Sequence, residues 1–278
     1  MNIIGLGQAG VNVARAFAKF PQYTTYGIDT CSSADITIKS RSSHEEYDVN
    51  FPSLKRRLSL ADGDVYVVVC GGGDISGGTL RLLEQIRGHR TSVLYIQPDV
   101  ELLSETQQMQ ERITRHVLQE YARSGRLDML YLLDNTMLEH GIGEVPIMGY
   151  FEVLNQAIVN TFHMLNVFRN STAVLGNFIA TAPTARIATV GVLNLDEQKE
   201  KWFYDLTQPR DMVYYYGISE EDLRTDGSLF KQITQFVKSK VKEKVNVSYG
   251  VFQTNYEQKY CYCIQYTSLV QTALEMEK

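Results

Sequence analysis

Apolar residues along the first half of the chain fall alternately into short blocks and into helical spacing. Blocks at residues 2–6, 25–29, 64–70, 92–96 and 129–133 predict strands. The block 64–70 reads Asp-Val-Tyr-Val-Val-Val-Cys, an almost continuous apolar run that suits a parallel strand covered on both faces. Residues 11–20, 80–87 and 102–122 instead place apolar side chains every three or four positions, which predicts amphipathic helices. Strands and helices in this alternation predict right-handed crossovers and a doubly wound parallel sheet.

Residues 147–168 have a different pattern. Met148, Phe151, Leu154, Ile158, Phe162 and Leu165 make one stripe, and Val153, Ala157, Val159 and Val167 make much of another. A helix that is apolar nearly all round is expected between layers. Its Asn, Gln and His residues make it too polar, and its length too short, for a membrane span. Beyond it, strands are predicted at 186–195, 212–218, 245–252 and 259–266, with a helix at 228–244. The expected architecture is therefore α/β. A doubly wound parallel-sheet domain spans residues 1–145, a long central helix spans 146–170, and a smaller α/β domain spans 171–278.

Composition narrows the function classes. With 44% hydrophobic and 21% charged residues, the 278-residue chain falls in the range of soluble globular proteins. A net charge of -5 argues against broad nucleic-acid binding, and direct contact with nucleic acid is not expected. No membrane segment is expected either, and the start Met1-Asn-Ile-Ile-Gly lacks the regions of a signal peptide. Cys31, Cys70, Cys261 and Cys263 form no CxxC pair, which removes zinc and thioredoxin chemistry and suggests a reducing cytoplasm. The five histidines are scattered without HxxxH or HExxH spacing, so no metal centre is predicted. There is no GxSxG elbow and no Walker GxxxxGK[ST]. Lys231, Lys238, Lys240, Lys242 and Lys244 gather on the helix 228–244 and read as a solvated face.

Two glycine-rich turns carry the candidate chemistry. Gly5-Leu-Gly-Gln-Ala-Gly10 and Gly71-Gly-Gly-Asp-Ile-Ser-Gly-Gly78 each follow a predicted strand and open a predicted helix. Glycine allows a ligand close to the backbone, and a helix start offers unpaired N–H groups and partial positive charge. Two such turns on one sheet edge could hold a polyphosphate from both sides, which makes the first domain a nucleotide-binding one. Alone, the first turn matches the GxGxxG dinucleotide fingerprint, with Asp29 near the ribose-binding acid. That allows an NAD(P)-binding Rossmann oxidoreductase, but no pattern in the second half singles out a catalytic His, Lys or Tyr. The remaining reading is two turns without a ligand. Against it, five glycines in eight residues lose backbone entropy for no packing gain evident in the sequence.

Taken in order, these features resemble the tubulin/FtsZ family. Gly71-Gly72-Gly73-Asp74-Ile75-Ser76-Gly77 is similar to the family's GGGTGTG phosphate loop, and Gly7-Gln8-Ala9-Gly10 to its GQxG loop. Asp29 with Thr30, Pro98 before the long helix, and Asn135 after the fifth strand fit the intervening loops. Phe151 and Asn155, four residues apart, match the aromatic and Asn that begin the family's central helix. The resemblance covers residues 1–170 and is fainter beyond. It implies GTP or GDP held by these residues, with Phe151 stacking on the base and Asn155 at the base edge, and Mg2+ with Gln8 as an outer-sphere partner. It implies head-to-tail assembly with further copies of the chain into cytoskeletal filaments, or a regulator that keeps the fold without polymerising, and it leaves room for an adaptor protein.

Several positions depart from the family pattern. Gln156 stands where an acid helps select guanine, Asp74 replaces Thr, and Ile75 replaces Gly. Asp74 either approaches a cation or caps the helix that follows. The segment Arg41–Asn50, where a loop sensing the terminal phosphate is expected, has no glycine. The family's inter-subunit loop maps to residues 176–183, where Asn177 fits but Ile179 and Ala182 take the places of the acids. Neither side chain can polarise water or accept a proton, so GTP hydrolysis is expected to be weak or absent and no catalytic residue is assigned.

Overall fold

The computed structural model describes residues 1–241 and 245–272. Its strands are β1 (Asn2–Leu6), β2 (Thr24–Asp29), β3 (Ile36–Thr37), β4 (Val65–Cys70), β5 (Thr91–Gln97), β6 (Met129–Asp134), β7 (Leu175–Asn177), β8 (Ile187–Asn194), β9 (Lys199–Trp202), β10 (Asp211–Ser219), β11 (Asn246–Thr254) and β12 (Tyr260–Thr267). The helices are α1 (Gly7–Phe17), α2 (His44–Val49), α3 (Thr79–Gln85), α4 (Glu105–Arg123), α5 (Asn135–Ile142), α6 (Tyr150–Arg169), α7 (Glu220–Thr225) and α8 (Leu229–Val241).

All twelve strands join one sheet in the order β3-β2-β1-β4-β5-β6-β8-β12-β10-β11-β7, with β9 beside β8. From β3 to β8 every pairing is parallel, as the block-and-helix alternation predicts. The later strands are mixed, because β12 runs antiparallel between β8 and β10. The two regions meet at two paired positions, Leu130 with Ile187 and Tyr131 with Ala188. The strands of the second half thus continue the sheet of the first.

The central strands are covered on both faces. In β4, Val68 enters one core and Val67 and Val69 the other, which explains the uninterrupted apolar run. Helix α6 covers the first face. Its Leu154, Ile158, Phe162 and Leu165 share a core with Ile3 and Leu94 of the parallel region and with Tyr215, Phe252 and Ile264 of the mixed region. The predicted stripe fails at its first two members. Met148 is 91% exposed and Phe151 65%, because they precede or open the helix at the rim of the sheet.

Two further differences bear on the site. Helix α1 starts at Gly7, directly after β1, four residues earlier than predicted. The segment that lacked glycine forms a short helix, α2, with Ser43 capping it through the Glu46 N–H. Lys242 and Lys244 lie outside the described residues. Cys261 and Cys263 pack in the core under α8, and burial pushes both thiols up in pKa. Among the described residues, no helix is long and apolar enough to cross a membrane, and no cluster of three His, Cys, Asp or Glu could hold a metal.

Candidate functional site

The two glycine turns leave adjacent strands, β1 and β4, at the carboxyl edge of the sheet. Gly7 has a φ of 74°, a left-handed geometry that lets the chain turn from strand into helix with no connecting residue. A Cβ placed there would lie 2.7 Å from Ile75 Cγ2, so the turns touch each other. No side chain caps the start of α1. Its first N–H groups, beside the second turn, are therefore not taken by a capping side chain. Gln8 is exposed and Ala9 half-buried at that start.

Most of the glycines are required by packing, which corrects the expectation that they gain nothing from it. A Cβ at Gly5 would meet the Gly10 carbonyl at 2.1 Å, and one at Gly10 the Val68 carbonyl at 2.4 Å. These two residues let α1 sit directly on the strands. A Cβ at Gly71 would lie 1.8 Å from the Tyr95 hydroxyl, one at Gly77 2.0 Å from the His44 carbonyl, and one at Gly78 2.3 Å from the Phe51 ring. Gly72 is less tight, with Pro98 Cγ at 3.1 Å. Only Gly73 in this turn faces open space, and it is exposed. The open side of the turn therefore centres on Gly73 and Asp74.

Ser76 is buried and its hydroxyl donates to the Gly71 carbonyl at 3.3 Å, so this side chain holds the loop closed and does not line its open side. Asp74 opens a 3₁₀ turn, Asp74–Gly78, whose cap position is Gly73 with no side-chain cap bond. The capping alternative for Asp74 is thus not realised. Its Oδ1 accepts instead from Gln110 Nε2 at 3.0 Å. Gln110 Oε1 is buried and has no hydrogen-bond partner. An orphaned acceptor of this kind, beside an exposed carboxylate and an open backbone, fits a site that a ligand with its cation completes.

Around the turns, Asp29 is occupied in its own turn, accepting from the Thr30 N–H at 2.7 Å. Asn135 is the first residue of α5, half-buried and without a side-chain hydrogen bond among the described residues. Asp134 before it caps the helix through Met137 N–H at 3.0 Å and also accepts from Gln97 Nε2 at 2.8 Å. Burial raises the Asp134 pKa. Gly149, at φ 82°, turns the chain into α6. Tyr150 then donates to Glu139 Oε2 at 2.7 Å, which ties α6 to α5 and pushes the phenol up to about 12. With Tyr150 anchored, Phe151 stands at the rim, its ring edge-on to Tyr150 at 5.2 Å. Asn155 lies one turn further, half-buried and without a hydrogen bond among the described residues. Gln156 faces elsewhere: it accepts from Lys19 Nζ at 2.6 Å and donates to Asn160 at 2.6 Å. It is not placed to replace the guanine-selecting acid.

Two supporting groups were not legible in the sequence. His44 of α2 packs on Gly77 and bonds Thr114 Oγ1 through Nε2 at 3.1 Å, and burial lowers its pKa. Beneath Gly71, the Tyr95 hydroxyl donates to Glu111 Oε1 at 3.0 Å, and Glu111 is paired with Arg115 at 2.8 Å, both almost fully buried. Burial, with the Glu111 charge beside it, holds the Tyr95 phenol well above its usual range. On a helix written as Glu-Thr-Gln-Gln-Met-Gln-Glu-Arg, such residues read as the solvated face. A recess of about 740 Å³ opens between α6 and the connection from β11 to β12, beside Phe20, His163 and Tyr260. It contains no glycine turn or helix start, and the chemistry described above does not involve it.

The loop after β7 lies at the other end of the sheet. It enters β8 beside the start of β6, where Arg186 Nη1 donates to the Leu127 carbonyl at 2.9 Å. Ile179 is 51% exposed, and its N–H donates to Ser248 Oγ at 2.9 Å. The nearest carboxylate to this loop in its hydrogen bonding is Asp211, which accepts from the Ala182 N–H at 3.5 Å. Asp211 is buried and also bonded to Asn246 Nδ2 at 2.9 Å, so it is turned inward.

This arrangement superposes on TubZ from Bacillus thuringiensis serovar israelensis, in a GTPγS-form protofilament, with a TM-score of 0.73 over 97% of this chain and 87% of that one at 16% identity. The fold is that of the tubulin/FtsZ superfamily. An empty FtsZ dimer from M. jannaschii matches with a TM-score of 0.68 over 96% of this chain and 87% of that one, at 14% identity. GDP-bound CetZ1 from Haloferax volcanii matches with a TM-score of 0.66 over 96% of this chain and 93% of that one, at 16% identity. No protein-family profile matches the sequence, and no curated protein matches it.

Proposed function

We propose that the chain binds GTP or GDP at the carboxyl edge of the sheet and assembles head to tail with further copies of itself, with little or no hydrolysis. One observation carries the reading: the two glycine turns touch at Gly7 and Ile75 beside an uncapped helix start. Gly73 leaves the backbone open on that side. The N–H groups of α1 and of the turn at 73–76 would bind the phosphates, Phe151 would stack on the base, and Asn155 would meet its edge. Mg2+ would supply positive charge to the phosphates, and Asp74 and Gln8 are the side chains that would meet it or its waters.

Head-to-tail assembly is supported by the placement of the loop 176–183 at the edge opposite the turns, with Phe178 and Ile179 exposed. The TubZ relative in GTPγS form is itself a protofilament. Weak hydrolysis follows from Ile179 at the exposed tip of that loop and from the burial of Asp211. The test is titration with a fluorescent guanine nucleotide and, separately, NADH, followed by sedimentation with GTP and Mg2+. Saturable guanine binding, no NADH binding and a GTP-dependent pellet are expected. NADH binding without guanine binding would instead favour the oxidoreductase, and guanine binding without a pellet the non-polymerising regulator.

A further inference from the structure

The two ends of the parallel sheet carry opposite charge. The segments leaving β1, β2, β4, β5 and β6 at the carboxyl edge are residues 7–10, 30–35, 71–78, 98–105 and 135–149. With the segment 38–43, which leaves β3 at the same edge, they contain seven Asp or Glu against two basic residues, Lys39 and Arg41. The densest group is Asp99, Glu101 and Glu105 after β5. None of the seven is in an ion pair among the described residues. The segments entering β2, β4, β5, β6 and β8 at the amino edge are residues 18–23, 58–64, 86–90, 123–128 and 178–186. They contain six Lys or Arg against three Asp. Arg90 is taken by Asp128 at 2.9 Å, and Arg123 by Glu120 at 3.1 Å. Arg87 and Arg126 are exposed, have no ion pair among the described residues, and line a recess of about 240 Å³ with His89 and Ser124.

This polarity restricts how two copies can meet. A two-fold contact at either end would set like charge on like, whereas a head-to-tail contact sets opposite charges together. The match is also in register. The segment 98–105 leaves β5 and the segment 86–90 enters it, while 123–128 enters the neighbouring β6. A copy displaced along the strand direction therefore sets Arg87 toward the segment 98–105, with Arg126 beside it in the same recess. The acidic edge, moreover, is where an anionic ligand is proposed to bind, and the cationic side chains of its segments, Lys39 and Arg41, lie at the β3 margin of the sheet.

We propose that a second copy docks its basic amino edge, led by Arg87 and Arg126, onto the acidic segment 98–105 of the first, and that this charge pairing drives and orients self-assembly. The inference rests on the head-to-tail reading above and adds to it the surfaces and the force. The four side chains are exposed, so their replacement leaves the fold intact. Sedimentation of the full chain with GTP and Mg2+ tests it. The critical concentration is expected to rise about tenfold or more between roughly 50 and 500 mM salt, as exposed pairs are screened. Arg87→Glu with Arg126→Glu should abolish the pellet at low salt, as should Glu101→Lys with Glu105→Lys, and mixing the two doubly substituted chains should restore it as alternating copies. A pellet from either substituted chain at the wild-type critical concentration, no recovery on mixing, or no wild-type pellet at any salt overturns the proposal. Nucleotide titration of the same samples separates the two ideas: restored pelleting without nucleotide binding removes the ligand assignment and keeps the charge pairing.

Discussion

Gly7 and Ile75 touch across the gap between two loops that are 68 positions apart in sequence, with Ile75 Cγ2 2.7 Å from where a Gly7 Cβ would be. Ile75 stands where the tubulin/FtsZ pattern has glycine, and its side chain fills the space above Gly7. The contact fixes the spacing of the two turns.

Glycine substitutions in the second turn should divide into two kinds. Gly71→Ala places a methyl group 1.8 Å from the Tyr95 hydroxyl and should destabilise the fold by about 1–3 kcal/mol or more. Gly73→Val meets nothing within 4 Å and should leave the denaturation midpoint unchanged while weakening nucleotide binding. Urea titration and fluorescent-nucleotide titration of the pair measure this. Unchanged affinity in Gly73→Val would remove that residue from the phosphate site.

Phe151→Ala removes a ring that is 65% exposed. Stability should change by less than about 0.5 kcal/mol. Affinity for a guanine nucleotide should fall by about 1–3 kcal/mol through lost stacking. Equal affinities of the two chains would make the ring an ordinary surface aromatic.

Arg115→Met leaves Glu111 charged, buried and unpaired under the second glycine turn. The expected cost is about 3–5 kcal/mol in a denaturant titration. Pairing it with Glu111→Leu should recover much of the loss, because both charges are then gone. No recovery would mean that the pair is valued for its bonds to Tyr95 and Gln271 more than for charge balance.

Burial lowers the pKa of His44, and burial with Lys19 nearby lowers that of His163. The unfolded chain therefore binds protons at these sites before the folded one does, and stability rises with pH across that interval. It should be complete above about pH 6.5, the ordinary histidine value, and decline below it. Denaturation midpoints at about pH 7.5 and 5.5 should differ in the wild type and differ less in His44→Gln with His163→Gln. An identical difference in the two chains would place the titrating groups elsewhere.

Phosphate release by the wild-type chain should be near background even where it assembles. Ile179→Asp restores a carboxylate at the exposed tip of the loop and should raise the rate by at least about tenfold, within what a positioned acid or base supplies. Ala182→Asp is the poorer graft, because it sets a second carboxylate beside Asp211. Fast release by the wild type would show that another group does this work.

The sequence by itself determined the parallel half of the sheet. Periodicity is a local property, and the blocks at 2–6, 64–70 and 92–96 each record burial on two faces. It also located both glycine turns, because glycine is needed wherever backbones approach closely. What it could not show was what approaches. Gly71, Gly77 and Gly78 are filled by Tyr95, His44 and Phe51, which lie 24, 33 and 27 positions away, so only the tertiary structure separates packing glycines from the open Gly73. The same holds for Phe151, which shares the helical spacing of core residues yet lies at the rim, since spacing gives a face of the helix and not where the sheet beneath it ends. Glu111 and Arg115 read as surface residues because a buried charge is told from a solvated one only by its neighbours. The opposite charges of the two sheet edges follow equally from chain folding, which gathers residues scattered through the sequence onto two surfaces.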